Sequence, residues 1–228
     1  MHSIKALTFD LDDTLWAIAP VIIRAEAHLH AHLGEHFPKV HQTFKKEDLA
    51  KMRQQVVMDN PHLSHDLTSL RRMSFEAILA GSGYESHHSH SLMDRFFELR
   101  HDVEFYTDVF AALEMLAKHY RLYAISNGNA DLDRLPIRNY FEGQLAASEA
   151  GMAKPDSRIF HMACDRLDLQ AEDVLHIGDN PVDDIKGALD AGLKTAWINR
   201  TDASWEASFQ PHITCTSLLE LVDRLEIT

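Results

Sequence analysis

Two rhythms of apolar and polar positions divide the chain. Ile4–Leu11 is apolar apart from Lys5 and Thr8 until it closes in acids, the pattern of a short strand buried on both faces. From about residue 17 to residue 100, apolar positions recur at helical spacing. The segments are 17–37, with a stop near Gly34, and 45–60, closed by Asn60-Pro61. Then come 66–83, with Asp66 or Thr68 as its cap and Gly81 and Gly83 at its end, and 91–105. Helices in succession with no strand between them predict a separate helical module. Beyond Thr107 the rhythm alternates. Helices are expected at 108–120, 131–139, 156–169, 183–192 and 216–226, and strands at 121–128, 143–150, 173–179 and 194–199. Such alternation builds βαβ units and a parallel sheet covered on both faces. The expected fold is α/β: a doubly wound parallel sheet formed by 1–16 and 107–228, with 17–106 inserted after the first strand as a helical domain.

Composition narrows the partners. A net charge of −13 disfavours nucleic acid and anionic membrane surfaces, which need a basic footprint. No apolar run approaches the roughly 20 residues of a membrane helix, and the first residues lack the apolar stretch of a secretory leader. Cys164 and Cys215 sit in apolar or strand-like contexts and read as buried thiols of a reducing compartment. A cytoplasmic protein is expected, and a monomer is the simplest assembly. The chain has 16 histidines, grouped at His28, His30, His32, His36 and His41 and again at His87, His88 and His90. His28 and His32 are four apart on an expected helix, a spacing able to chelate. No cysteine or carboxylate joins them in a zinc-site pattern, so they read as solvated faces and loops.

Ligands of open α/β sheets bind outside the carboxyl ends of the strands, and polar residues gather at four of the expected ends. The first strand closes in FDLDDTL, where Asp10 and Asp12 are two apart and share a face of the extended chain. Carboxylates so close have pKa values driven apart, which equips one as nucleophile and the other as general acid. Ser126-Asn127-Gly128 ends the second strand, either as a compact phosphate cradle or as an ordinary turn. Lys154-Pro155 follows the third, where a fixed lysine could neutralise an acidic site or simply precede a helix on the surface. The fourth ends in Gly178-Asp179-Asn180-Pro181-Val182-Asp183-Asp184. Its hard oxygens suit Mg²⁺, although Asp183 is equally explained as a helix-capping acid.

In this order, each after its own strand, the four motifs resemble the haloacid dehalogenase (HAD) superfamily across essentially the whole chain. The resemblance implies a Rossmann-like core and makes the insert a C1-type helical cap. It implies a Mg²⁺-dependent phosphatase acting on a small phosphorylated metabolite. Asp10 is then the nucleophile that becomes an aspartyl phosphate, and Asp12 the acid and later the base. Mg²⁺ falls to the Asp10 carboxylate, the Asp12 carbonyl and Asp179. Asp184 supports the metal shell or orients Lys154. Ser126, Asn127, Gly128 and Lys154 hold the phosphate. Dehalogenases of the superfamily lack the second acid, so Asp12 favours phosphoryl transfer. The runs AISNGNA (124–130) and NPHLSHDLTSLR (60–71) resemble, more narrowly, the branch that hydrolyses flavin mononucleotide (FMN) and the phosphorylated ribitylaminouracil precursor of riboflavin. In the cap, His65, Asp66 and Arg71 are candidates for leaving-group contacts, with a solvated helix face as the alternative. Trp16 lies either near the site entrance or in the core at the cap hinge. Other readings are a broad sugar-phosphate or nucleotide phosphatase, a phosphomutase, or a non-catalytic HAD-like binding protein.

Overall fold

The computed structural model describes residues 4–227. In chain order the elements are β1 (Ala6–Phe9), α1 (Ile18–His36), α2 (Pro38–Thr43), α3 (Lys46–Asp59), α4 (Leu67–Gly81), α5 (Ser89–Arg100), α6 (Val109–Leu116) and β2 (Arg121–Ser126). They continue with β3 (Gly143–Ala146), α7 (Ala147–Ala150), α8 (Ser157–Leu167), β4 (Val174–Gly178), α9 (Gly187–Asp190), β5 (Lys194–Ile198), β6 (Ile213–Cys215) and α10 (Leu218–Arg224). The strands form one sheet in the order β3-β2-β1-β4-β5-β6, and every pairing is parallel. This is the doubly wound α/β architecture, and the strand order reverses beside β1, where such folds bind ligands.

Contacts group the chain into two compact units. One joins the segment ending at Ala17 to the segment beginning at Glu104, and the other is Ile18–Val103. In the sheet-bearing unit all of β1 and β4 is buried, as expected of strands covered on both faces. Ile125, Leu145, Ile159 and Phe160 pack one side of this core. The chain leaves and re-enters this unit at a fastened stem: Trp16 and Phe105 form an antiparallel bridge, and their rings meet edge to face at 5.3 Å. Tyr106 N also donates to Leu15 O at 3.0 Å. In the helical unit, α1 buries Val21, Ala25, Leu29 and Leu33, a stripe at four-residue spacing. Leu29 and Leu33 share a core with Phe75, Ile78 and Phe96 from α4 and α5.

Several boundaries depart from the sequence reading. Helix α1 runs through Gly34 and stops at His36, where Phe37 precedes Pro38 and the helical conformation is disfavoured. A Cβ on Gly34 would lie 2.8 Å from the His41 ring, so the glycine makes room for α2, a helix the reading missed. Helix α5 ends at Arg100, short of residue 105. Residues 131–139 form two short 3₁₀ turns around Pro136 in place of a helix. The expected strand at 143–150 stops at Ala146, and the helix-favouring run Ala-Ser-Glu-Ala makes the single turn α7. Residues Pro181–Lys186 are π-helical before α9, and the three-residue edge strand β6 carries too little pattern to foresee.

Candidate active site

The candidate residues of the sheet-bearing unit meet at the carboxyl ends of β1, β2 and β4. Asp10 follows β1 and is still tied to the sheet, since its N–H donates to Ile177 O at 2.8 Å. That bond fixes the buried Asp10 carboxylate at the point where the strand order reverses. Lys154 Nζ donates to Asp10 Oδ1 and to Asp184 Oδ1, both at 2.6 Å, and is buried with them. Carboxylate oxygens of Asp10, Asp179 and Asp184 lie within 4.8 Å of one another, a group able to hold a metal ion.

The ammonium is aimed by its own backbone. Lys154 N donates to Asn127 Oδ1 at 2.7 Å, and Asn127 Nδ2 donates to Lys154 O at 2.9 Å. This reciprocal clamp ties the loop after β2 to the loop before α8. The sequence reading gives Asn127 to the phosphate cradle; the structure engages both ends of its amide with Lys154. Beside it, Gly128 N donates to Ser126 Oγ at 3.0 Å, which leaves the buried Ser126 hydroxyl its own proton to donate.

Asp184 is bonded by three residues. Beyond Lys154, it accepts from Asn180 N through Oδ2 at 2.9 Å and meets His176 Nε2 through Oδ1 at 3.2 Å. The other His176 nitrogen, Nδ1, lies 2.9 Å from Thr8 Oγ1, and the two residues are register partners on adjacent strands. Since a carboxylate only accepts, Nε2 carries the ring proton and Nδ1 accepts from the Thr8 hydroxyl. Gly178 is required here: a Cβ would sit 2.2 Å from Asp184 Cγ. Asp179 accepts from Thr14 Oγ1 at 3.3 Å, while its carbonyl accepts from Trp197 Nε1 at 2.6 Å. Asp12, half-buried, accepts from Trp16 Nε1 at 2.9 Å. Trp16 is fully buried, which favours the core reading of this residue and gives it a polar task as well.

Electrostatics divide the acids. Burial pushes Asp10 well above the usual carboxylate range, opposed by Lys154 and reinforced by Asp184 and Asp179. Burial, then Asp184 and Asp13, push Asp179 up to about 7. Burial acts on Asp184 in the same sense, but Lys154 and His176 outweigh it and hold that carboxyl well below the usual range. For Lys154, burial is outweighed by Asp10 and Asp184, so the ammonium stays charged. Burial holds His176 neutral. One lysine among three close acids leaves an excess of negative charge at the sheet's carboxyl edge.

The remaining candidates belong to the helical unit. Asp66 caps α4, its Oδ1 accepting from Ser69 N at 2.9 Å. Arg71 donates to Glu26 Oε1 at 2.6 Å and lies 4.1 Å over the Phe96 ring, so its charge is matched within the unit. His65 is half-buried just before α4. Sequence reasoning missed His176, Thr8 and Trp197. The available signal was a lone polar residue within each buried strand, Thr8 in β1 and His176 in β4.

Residues 4–192 match the family model for haloacid dehalogenase-like hydrolase. The chain is 32% identical over 226 residues to 5-amino-6-(5-phospho-D-ribitylamino)uracil phosphatase YigB of Escherichia coli (strain K12), covering 96% of this chain and 94% of the relative. A glyceraldehyde 3-phosphate phosphatase of Methanopyrus kandleri is 30% identical, over 86% of this chain and 84% of its own. Among solved structures, a 2-haloacid dehalogenase from Pseudomonas syringae pv. Tomato DC3000 superposes with a TM-score of 0.91 at 38% identity, covering 98% of both chains. The chain belongs to the haloacid dehalogenase-like hydrolases. It is a hydrolytic enzyme whose curated relatives include phosphatases of small phosphorylated molecules. No described helix is long and apolar enough to cross a membrane.

Proposed function

We propose that the chain is a Mg²⁺-dependent phosphatase of small phosphomonoesters, with FMN or a related ribityl phosphate as preferred substrate. The observation that carries this reading is the pairing of Asp10, fixed by Lys154, with Asp12, held two residues on by Trp16. A halide departs without a proton, whereas an alkoxide needs an acid at the position Asp12 occupies. This favours the phosphatase over the dehalogenase among the names borne by similar proteins. The ribityl preference rests on the two runs noted above and on the similarity to the ribitylaminouracil phosphate phosphatase.

The acids fit Mg²⁺. They offer only hard oxygens, and burial, reinforced by the neighbouring acids, raises Asp10 and Asp179 as expected where a divalent counter-charge belongs. Asp10 and Asp179 would hold the ion, with the Asp12 carbonyl as the family resemblance implies, and Asp184, already bonded by Lys154, His176 and Asn180, would support the site. When bound, Mg²⁺ offsets phosphate charge and orients the ester.

In the first step a carboxylate oxygen of Asp10 bonds to phosphorus as the ester P–O bond breaks, and Asp12 gives its proton to the leaving alkoxide. In the second, Asp12 takes a proton from water, whose oxygen bonds to phosphorus as the Asp10–phosphorus bond breaks. Lys154 stabilises the charge on the transferring group, and the Ser126 hydroxyl donates to one of its oxygens. Asn127 acts through Lys154, by fixing its main chain.

The test is product release from a panel containing FMN, sugar phosphates, nucleotides and a 2-haloacid, with Mg²⁺ present. Phosphate release with kcat/KM highest for FMN or a ribityl phosphate supports the proposal. Even activity across the esters keeps the phosphatase and removes the ribityl preference. Halide release without phosphate release overturns both.

A further inference from the structure

We propose that His32 and His36, on the last two turns of α1, form a two-imidazole site for a borderline divalent cation such as Zn²⁺, separate from the aspartate cluster. The two residues are four apart on one helix and so project from the same face. Their ring centroids are 4.2 Å apart with planes tilted by 45°. A helical pair at this spacing chelates zinc in other proteins through two imidazole nitrogens, with water or an acid completing the shell.

Two further features favour a cation here. His36 is the last residue of a 19-residue helix, where unsatisfied carbonyls and the macrodipole favour positive charge. Glu35 Oε2 lies 3.8 Å from His36 Nε2 and adds a negative charge beside the pair. Arg95 is a like charge that repels a cation at His32, and the Glu35 carboxylate offsets it.

The neighbouring histidine pairs are less suited. His30 and His41 also stack at 4.2 Å, but the repelling charge of Lys46 on His30 is not offset by an acid as Arg95 is by Glu35, and α2 contributes the second ring in place of the same helix. His87 and His88 are adjacent in sequence, and His87 Nδ1 already meets Glu85 Oε2 at 3.0 Å. Chemistry separates the site from the aspartates: imidazole takes Zn²⁺, Ni²⁺ or Cu²⁺ in preference to Mg²⁺, whereas an all-oxygen cluster is filled by Mg²⁺. The inference therefore stands whether or not the chain is a phosphatase.

The experiment is Zn²⁺ titration of the full chain, with Mg²⁺ in large excess to occupy the aspartates, followed by dialysis equilibrium and thermal shift. Saturable uptake is expected, with apparent affinity lower by more than about tenfold in His32→Gln and in His36→Gln. His41→Gln is expected to bind as the parent does. Both pair variants change part-exposed side chains, and an unchanged far-UV circular dichroism spectrum verifies their fold. Absence of uptake by the parent overturns the inference. So does equal affinity in the His32→Gln and His36→Gln variants, or a loss confined to His41→Gln.

Discussion

His176 joins the sheet interior to the candidate site, and replacing it by leucine separates the two. The ring is fully buried, bonded to Thr8 on one side and to Asp184 on the other. Removing it takes away a hydrogen bond to a charged group, worth about 1.5–3 kcal/mol, and strands the Thr8 hydroxyl in a buried strand at about 1–3 kcal/mol. A loss of about 3–5 kcal/mol is expected, a large share of the roughly 5–15 kcal/mol that holds a typical domain. Adding Thr8→Val removes the stranded hydroxyl, so the double variant should recover about 1–2 kcal/mol and the two changes should be non-additive. Asp184 would keep its bonds from Lys154 and Asn180 but lose the donor that fixes its Oδ1 laterally. Lys154 then loses its aim at Asp10, lowering kcat while KM changes little. Guanidinium unfolding of the four proteins of the cycle, with steady-state phosphate release beside it, measures both effects. A His176→Leu cost below about 1 kcal/mol, or strict additivity with Thr8→Val, would refute the relay.

Further outcomes are expected at the aspartates. Asp10→Asn should reduce turnover by more than about a thousandfold while the fold survives, measured by phosphate release and circular dichroism. Chelator should stop turnover and Mg²⁺ restore it; full rate in excess chelator would contradict the proposed reaction. Asp179 has a raised folded pKa of about 7, so its stabilising contribution is complete at low pH and is lost as pH rises toward and through 7. Mg²⁺ opposes that loss, and the Mg²⁺-induced rise in Tm should be larger at pH 8 than at pH 5; equal shifts would argue against Asp179 as a ligand. Gly178→Ala, whose methyl group meets the Asp184 carboxylate, should cost about 1–3 kcal/mol and lower kcat, read by unfolding and steady-state assays.

The parallel sheet and the main site acids were legible because they rest on local chemistry. A buried apolar strand ending in acids identifies Asp10 and Asp179, and the order of motifs adds Lys154 and Asp184. His176 was hidden because its partner is Thr8, brought beside it only by the pairing of β1 with β4. The bonds of Asn127 to the main chain of Lys154 were hidden because the two residues lie 27 apart in sequence. Trp16 had two open readings, and only the contact with Asp12 shows how a core tryptophan also serves the site. Strand β6 and turn α7 were missed for another reason. Edge pairing and single turns draw their stability from neighbours, and three or four residues hold too little pattern to announce them.

The bridge between Trp16 and Phe105 makes the helical unit an exchangeable part. The chain leaving at Ala17 and returning at Glu104 is already joined within the sheet-bearing unit, by a backbone bond and by two aromatic rings. Loop-closure cost grows slowly, about 0.6 kcal/mol for each doubling of length, so what lies between these ends hardly alters the stability of the stem. Helices can be lengthened, lost or replaced there without shifting the register of β1 between its neighbours. Changes in the inserted helices and changes at the sheet's acids thus become physically independent, with the stem as the seam between them.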